Sequence, residues 1–298
     1  MKDIMHQAEN TVNIVGKLLD VTFANGTLSD GRPYERATAT IRTTQTFGGH
    51  EETSEVTVPF FATQFTKTGA PNPAFDSLQK MKQMNTAQNV GYDNADKVRI
   101  SGANIRENTF VTRSGQLIDD WTLSASFINN TTMADIAAFR VEIFIMDMHD
   151  EIDRDGDTTG RLIIKSGIVQ YGGKLDVVEF IVERPETVDY IQRNWNINDT
   201  LTAVGYIRQT SVEEKTSGAD SGWGEDILIS TTRYVKELII TKGDDQGKEE
   251  DFAYDPTDIK KAFNVRKANI EQMQLNAKNS TTKKTTTDAP AASKYSWE

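Results

Sequence analysis

Residues 10–18, Asn-Thr-Val-Asn-Ile-Val-Gly-Lys-Leu, set the strongest constraint on how this chain can fold. Val12, Ile14, Gly16 and Leu18 fall on alternate positions, so an extended strand built here has one apolar face interrupted by a glycine. A glycine inside such a strand allows a tight bend or a close backbone approach, which is how a small closed sheet turns its corner. Residues 96–110 repeat the device, with Val98, Ile100 and Gly102 alternating against Lys97 and Arg99, and with a further basic residue, Arg106, beyond. The pair reads as strands one and four of a five-stranded OB-type barrel.

The segments between them fit that order. Residues 12–24 and 36–46 form a long hairpin, with Asn25-Gly26 and Asp30-Gly31 supplying turn chemistry. After the loop Phe47-Gly-Gly-His-Glu-Glu, Val56, Val58 and Phe60 alternate into a third strand. Residues 76–88 read as a helix capped by Asp76 or Ser77, with Leu78, Met81 and Met84 on one face to plug the barrel end. Strand five is expected over 121–128, reached through the turn at Ser114-Gly115.

From Ala138 the order of elements starts again. Strands are expected over 139–148, 161–171 and 175–183, a helix over 187–195, and strands over 200–208 and 228–241, with Gly205 in the place of Gly102. After Gly243 come an acidic run, an amphipathic helix over 258–275 and a Thr/Lys/Ala stretch over 280–293 with no core-forming residue, the composition of a disordered tail. The expected fold is therefore mostly β: two tandem OB-like five-stranded barrels over residues 1–135 and 136–243. Residues 244–298 hold the acidic linker, the C-terminal helix and the disordered tail.

The ordered set of strands over residues 10–131 resembles the bacterial and phage single-stranded-DNA-binding proteins. Its elements are the opening strand 10–18, the alternating strands 36–43 and 55–61, a helix, and Lys97-Val-Arg-Ile-Ser-Gly102. The resemblance implies a non-enzymatic protein of the host or bacterial cytoplasm that coats single-stranded DNA during replication, recombination or repair. It also implies that the tip Tyr295-Ser-Trp297-Glu298 recruits partner proteins, although the acidic run and Pro-Phe ending of such tails are missing here.

Single-stranded nucleic acid is held by a basic groove and by aromatic rings on which bases stack. In the first barrel the candidates are Tyr34, Phe47, Phe61, Phe110 and Trp121 for stacking and Arg36, Arg42, Lys97, Arg99, Arg106 and Arg113 for phosphate. If Val56, Val58 and Phe60 point inward, Phe61 points outward; the competing role for Phe61 is packing under the helix. Trp121 is placed on the platform, since tryptophan is seldom fully buried. In the second barrel the candidates are Tyr171, Lys174, Tyr206, Arg208 and Trp223, while Trp195 reads as structural.

Charge pulls the other way. The formal net charge is −11, and the acidic excess is smaller in residues 1–135 than in 136–243. Phosphate contact depends on a local stripe of cations and not on the total, so an acidic chain with a basic groove stays compatible with nucleic acid. It is equally compatible with a tandem-OB protein-interaction or assembly module that binds none.

Other classes find little support. An apolar fraction of 37% and a mean hydropathy of −0.53 describe a soluble chain, and no apolar run reaches the length of a spanning helix. The absence of cysteine excludes a thiol nucleophile and a Cys-based zinc site. The densest carboxylate cluster, Asp147 to Asp157 around His149, approximates a calcium loop with Gly156 at the sixth place. Its twelfth place is Leu162 where a bidentate Glu is required, so it reads as a solvated hairpin. No phosphate-cradling loop, nucleophile elbow or His-Glu-x-x-His occurs, and no cofactor or metal is called for.

Overall fold

The alternation that opens the sequence becomes a strand longer than its apolar repeat. In the computed structural model, which describes residues 5–47, 49–112, 114–217 and 228–285, β1 runs over Asn10–Thr27 and buries Val12, Ile14, Val15 and Leu18. It is followed by β2 (Pro33–Phe47) and β3 (His50–Thr63), then α1 (Pro73–Met81), α2 (Ala87–Val90), β4 (Lys97–Val111), β5 (Leu117–Ser124) and β6 (Phe127–Asn130). β1 pairs antiparallel with β2 and β4, β2 with β3, and β4 with β5. A parallel bridge from Phe60 to Ala125, just past β5, closes the ring in the order β1-β2-β3-β5-β4-β1.

The same circuit is then built a second time from β7 (Ile136–Ile152), β8 (Thr158–Gln170), β9 (Lys174–Val182), β10 (Thr200–Ser217) and β11 (Leu228–Gly243). β7 pairs with β8, β8 with β9, β10 with β11 and β10 with β7, and the parallel contact Ile239–Ile181 joins β11 to β9. In each ring the helix falls between the third and fourth strands, α1 and α2 in the first and α3 (Pro185–Asn194) in the second. Two of the glycines have a steric reason. A Cβ on Gly16 would lie 2.1 Å from the carbonyl oxygen of Arg42, and one on Gly205 would lie 1.8 Å from that of Ile239. Only glycine lets neighbouring backbones approach so closely where the sheet coils.

Several boundaries differ from expectation. Asn25 and Gly26 stay in the β1–β2 ladder opposite Glu35 and Tyr34, and the turn is made later, with Gly31 at φ 85°. α1 starts earlier than 76–88 because Asn72 caps it, its side chain accepting from the Ala74 N–H at 3.1 Å, with Pro73 in the first turn. It stops at Met81. The strand expected over 121–128 is broken, β5 ending at Ser124 and β6 pairing separately with β4. β10 and β11 run far past the barrel as a two-stranded arm, their ladder continuing from Arg208–Glu237 out to Ser217–Leu228. α4 (Pro256–Thr285) contains the helix expected over 258–275 and starts two residues before it.

The two rings share one sheet. Asn10–Val15 of β1 pairs antiparallel with Val141–Ile136 of β7, so the first strands of the two barrels lie side by side. One continuous set of buried side chains runs through both barrels, from Ala8 to Ile259 at the start of α4. Arg266 of α4 reaches Glu107 at 2.7 Å and Asp119 at 3.1 Å and so fastens the helix to the β4–β5 hairpin. Among the described residues no helix is long and apolar enough to cross a membrane.

Candidate nucleic-acid interface

On β2 the buried side is Glu35, Ala37, Ala39, Ile41, Thr43 and Gln45, which turns Tyr34, Arg36 and Arg42 outward. On β3 the buried Val56, Val58 and Phe60 turn Phe61 outward in the same way, and it is 48% exposed. The register places Arg36 directly opposite Phe61. The rings of Tyr34 and Phe61 lie 5.4 Å apart, and the Arg36 guanidinium sits 5.2 Å from one centroid and 5.6 Å from the other. Arg36 forms no ion pair among the described residues. Two rings and a cation whose charge still faces solvent are what a stacked base and its phosphate require.

The other expected cations are mostly committed to carboxylates. Arg42 is held by Glu55 and lies 5.2 Å from the ring centre of Tyr92, an exposed aromatic that the sequence pattern did not single out. Lys97 pairs with Asp135 at 2.6 Å and Arg106 with Asp176 at 2.8 Å. Arg99 is exposed, its guanidinium 3.8 Å from the sulfur of Met133. Phe110 and Tyr171 are exposed on their hairpins, and Lys174 is exposed beside Tyr171. Arg113, Trp223, Tyr295, Trp297 and Glu298 lie outside the described residues.

Four expected contacts are buried or already engaged by other groups. Trp121 is 6% exposed and belongs to the core, with Lys236 Nζ 4.5 Å from its ring centre, so no base can lie on it. Phe47 stacks on Tyr206 at 4.4 Å, and the two rings cement the junction between the barrels. Tyr206 is 3% exposed and donates its hydroxyl to Glu183 at 2.6 Å; burial and that hydrogen bond push its phenol well above the ordinary range. Arg208 is surrounded by Glu52 at 2.6 Å, Glu183 at 2.8 Å and Glu237 at 3.1 Å. Burial opposes its charge, but the hydrogen bonds to Glu52 and Glu183 more than offset this. An arginine so neutralised has nothing left for a phosphate. Trp195 is buried as expected, its indole N–H donating to the Asp244 carbonyl at 2.9 Å.

The acidic hairpin between β7 and β8 satisfies itself. Asp153 Oδ1 accepts the N–H groups of Asp155 and Asp157, and Glu151 pairs with Arg161. Among the described residues no group of three or more His, Asp or Glu side chains is placed to hold a metal ion.

Beside the cluster, a groove of about 700 Å³ lies between β3 and β5 of one barrel and β11 of the other. It is lined by Thr57, Pro59, Thr122, Gln209, Arg233 and Tyr234, among others.

The fold is similar to solved structures of the single-stranded DNA-binding protein from Thermus aquaticus. The wild-type structure aligns with a TM-score of 0.52 at 8% identity, over 82% of this chain and 96% of that one. A deletion mutant aligns with a TM-score of 0.51 at 10% identity, over 84% and 98%. No curated protein matches the chain in sequence. Residues 8–276 match the YorF family, and the chain belongs to that family.

Proposed function

We propose that this protein binds single-stranded DNA without reading its sequence, through the outer face of β2 and β3. The observation that carries the reading is the cluster of Tyr34, Phe61 and the unpaired Arg36 on a strand face that is otherwise small and polar. Stacking on such rings is indifferent to base identity, because every base has a π-face. The likeness of fold to the Thermus aquaticus protein supports the same reading. Coating of exposed strands in replication, recombination or repair is the role that such binding serves, with the first barrel as the binding unit and no catalytic step.

The test is anisotropy of a labelled oligothymidine about thirty nucleotides long, a length that covers the site of one or two OB barrels. Binding that weakens steeply with salt and ignores duplex competitor is expected. Phe61→Ala is expected to cost about 1–3 kcal/mol of binding free energy. One observation favours a second reading, a protein-interaction module: carboxylates occupy Arg42, Lys97, Arg106 and Arg208. Absence of binding even at low salt would establish it over the first.

A further inference from the structure

The outer face of β3 does not end at Phe61. Pro59 and Thr57 continue it along the strand, and both line the groove against β11, so the groove mouth begins within about 13 Å of the Phe61 ring at strand rise. On the far wall stands Tyr234, 54% exposed and on the arm of the second barrel. Its hydroxyl is held by Gln209 of β10, the neighbouring strand, which is itself tied to the first barrel. Gln209, 1% exposed, accepts the Thr57 N–H at 2.8 Å and the Tyr234 hydroxyl at 3.2 Å on one side-chain oxygen. The hydrogen bond fixes the hydroxyl end of a side chain that lines the groove and is otherwise half exposed. A ring fixed before binding loses little freedom when a base lies on it. The remaining wall combines the apolar Pro59 and Val235 with charged groups that pair, Lys236 with Asp120 and Glu237 with Arg161 and Arg208, so the groove presents stacking surface with little net charge of either sign from these pairs.

We infer that the strand held at Tyr34, Arg36 and Phe61 runs on into this groove and stacks a further base on Tyr234, making one nucleic-acid site that spans both barrels. This rests on the function proposed above and adds to it the path and a second-barrel contact. The test compares two labelled oligothymidines on the full chain, one of about eight nucleotides that fits a single barrel and one of about thirty. Wild type is expected to bind the long strand more tightly than the short one. Tyr234→Ala is expected to remove about tenfold of affinity for the long strand while leaving the short one unchanged, and Tyr234→Phe, which keeps the ring but loses the hydrogen bond to Gln209, to lose clearly less than Tyr234→Ala. Phe61→Ala is expected to weaken both. Short-strand binding intact in wild type, with Tyr234→Ala leaving the long-strand affinity unchanged, overturns the groove path alone. Failure of wild type to bind either strand overturns the function as well.

Discussion

Gly205 shows how much a single side chain can ask of this structure. Its missing Cβ leaves room for the Ile239 carbonyl and for the ring of Phe139, which would sit 2.7 Å from an added methyl. Gly205→Ala must therefore push β11 off β10 or displace a core phenylalanine. A loss of about 2–3 kcal/mol in urea unfolding is expected, and an unchanged midpoint would show that the close approach is dispensable. The same scale explains where the sequence was readable. The outward placement of Phe61 followed from the parity of Val56, Val58 and Phe60, and the structure keeps that parity. Trp121 carried the same signal, because it lies two residues before the buried Leu123 and so shares its face. Setting a general tendency of tryptophan above that local pattern put it on the surface. Tyr206 had no such warning, since β10 is buried on both sides where β3 and Phe47 cover it.

At the scale of elements, Glu142 on β7 acts as a fastening point for two segments that belong to neither ring. His6 Nε2 lies 2.7 Å from it and stacks on Tyr254, while Lys248 and the Tyr254 hydroxyl reach the same carboxylate. Burial opposes the charge on Glu142, but the hydrogen bonds from Lys248, Tyr254 and His6 outweigh it and hold its pKa below the ordinary value. An acid with a depressed folded-state pKa contributes stability that is complete above the unfolded value and disappears as pH falls through the folded one. Acid unfolding is thus expected to steepen below about pH 4.5, the ordinary glutamate value, and Glu142→Gln to flatten that limb. Asp176 works in the opposite sense. Burial raises its pKa despite Arg106, so protonating it relieves a cost as pH falls. A melting-temperature series between pH 3 and 7 in which wild type and Glu142→Gln run parallel would contradict the fastening role. Alternation made the strands themselves legible, but not the long arm of β10 and β11, whose polar outer half carries no core pattern. Nor could it reveal these clasps, which join residues more than a hundred positions apart.

For the whole molecule, the repeat of one strand circuit was visible in the order of elements, whereas the seam between the copies was not, because pairing partners across β1 and β7 leave no periodic trace. That seam also orders events in time. β1 has β4 along one edge, and on its other edge β2 takes over only from Lys17, so Asn10–Val15 has no neighbour there until β7 arrives. An unpaired strand edge is a template for joining another chain. As the polypeptide leaves the ribosome, the first ring can close once β6 has emerged, and the strand that covers the bare edge is the next one made. A chain cut before Ile136 never receives it. Such a fragment is expected to pair with itself through β1 and to show a concentration-dependent dimer in sedimentation velocity, and a strictly monomeric fragment would contradict this. The short interval between Asn130 and Ile136 then serves as a timing device, keeping brief the period in which a newborn barrel could be captured by its neighbour on the same messenger.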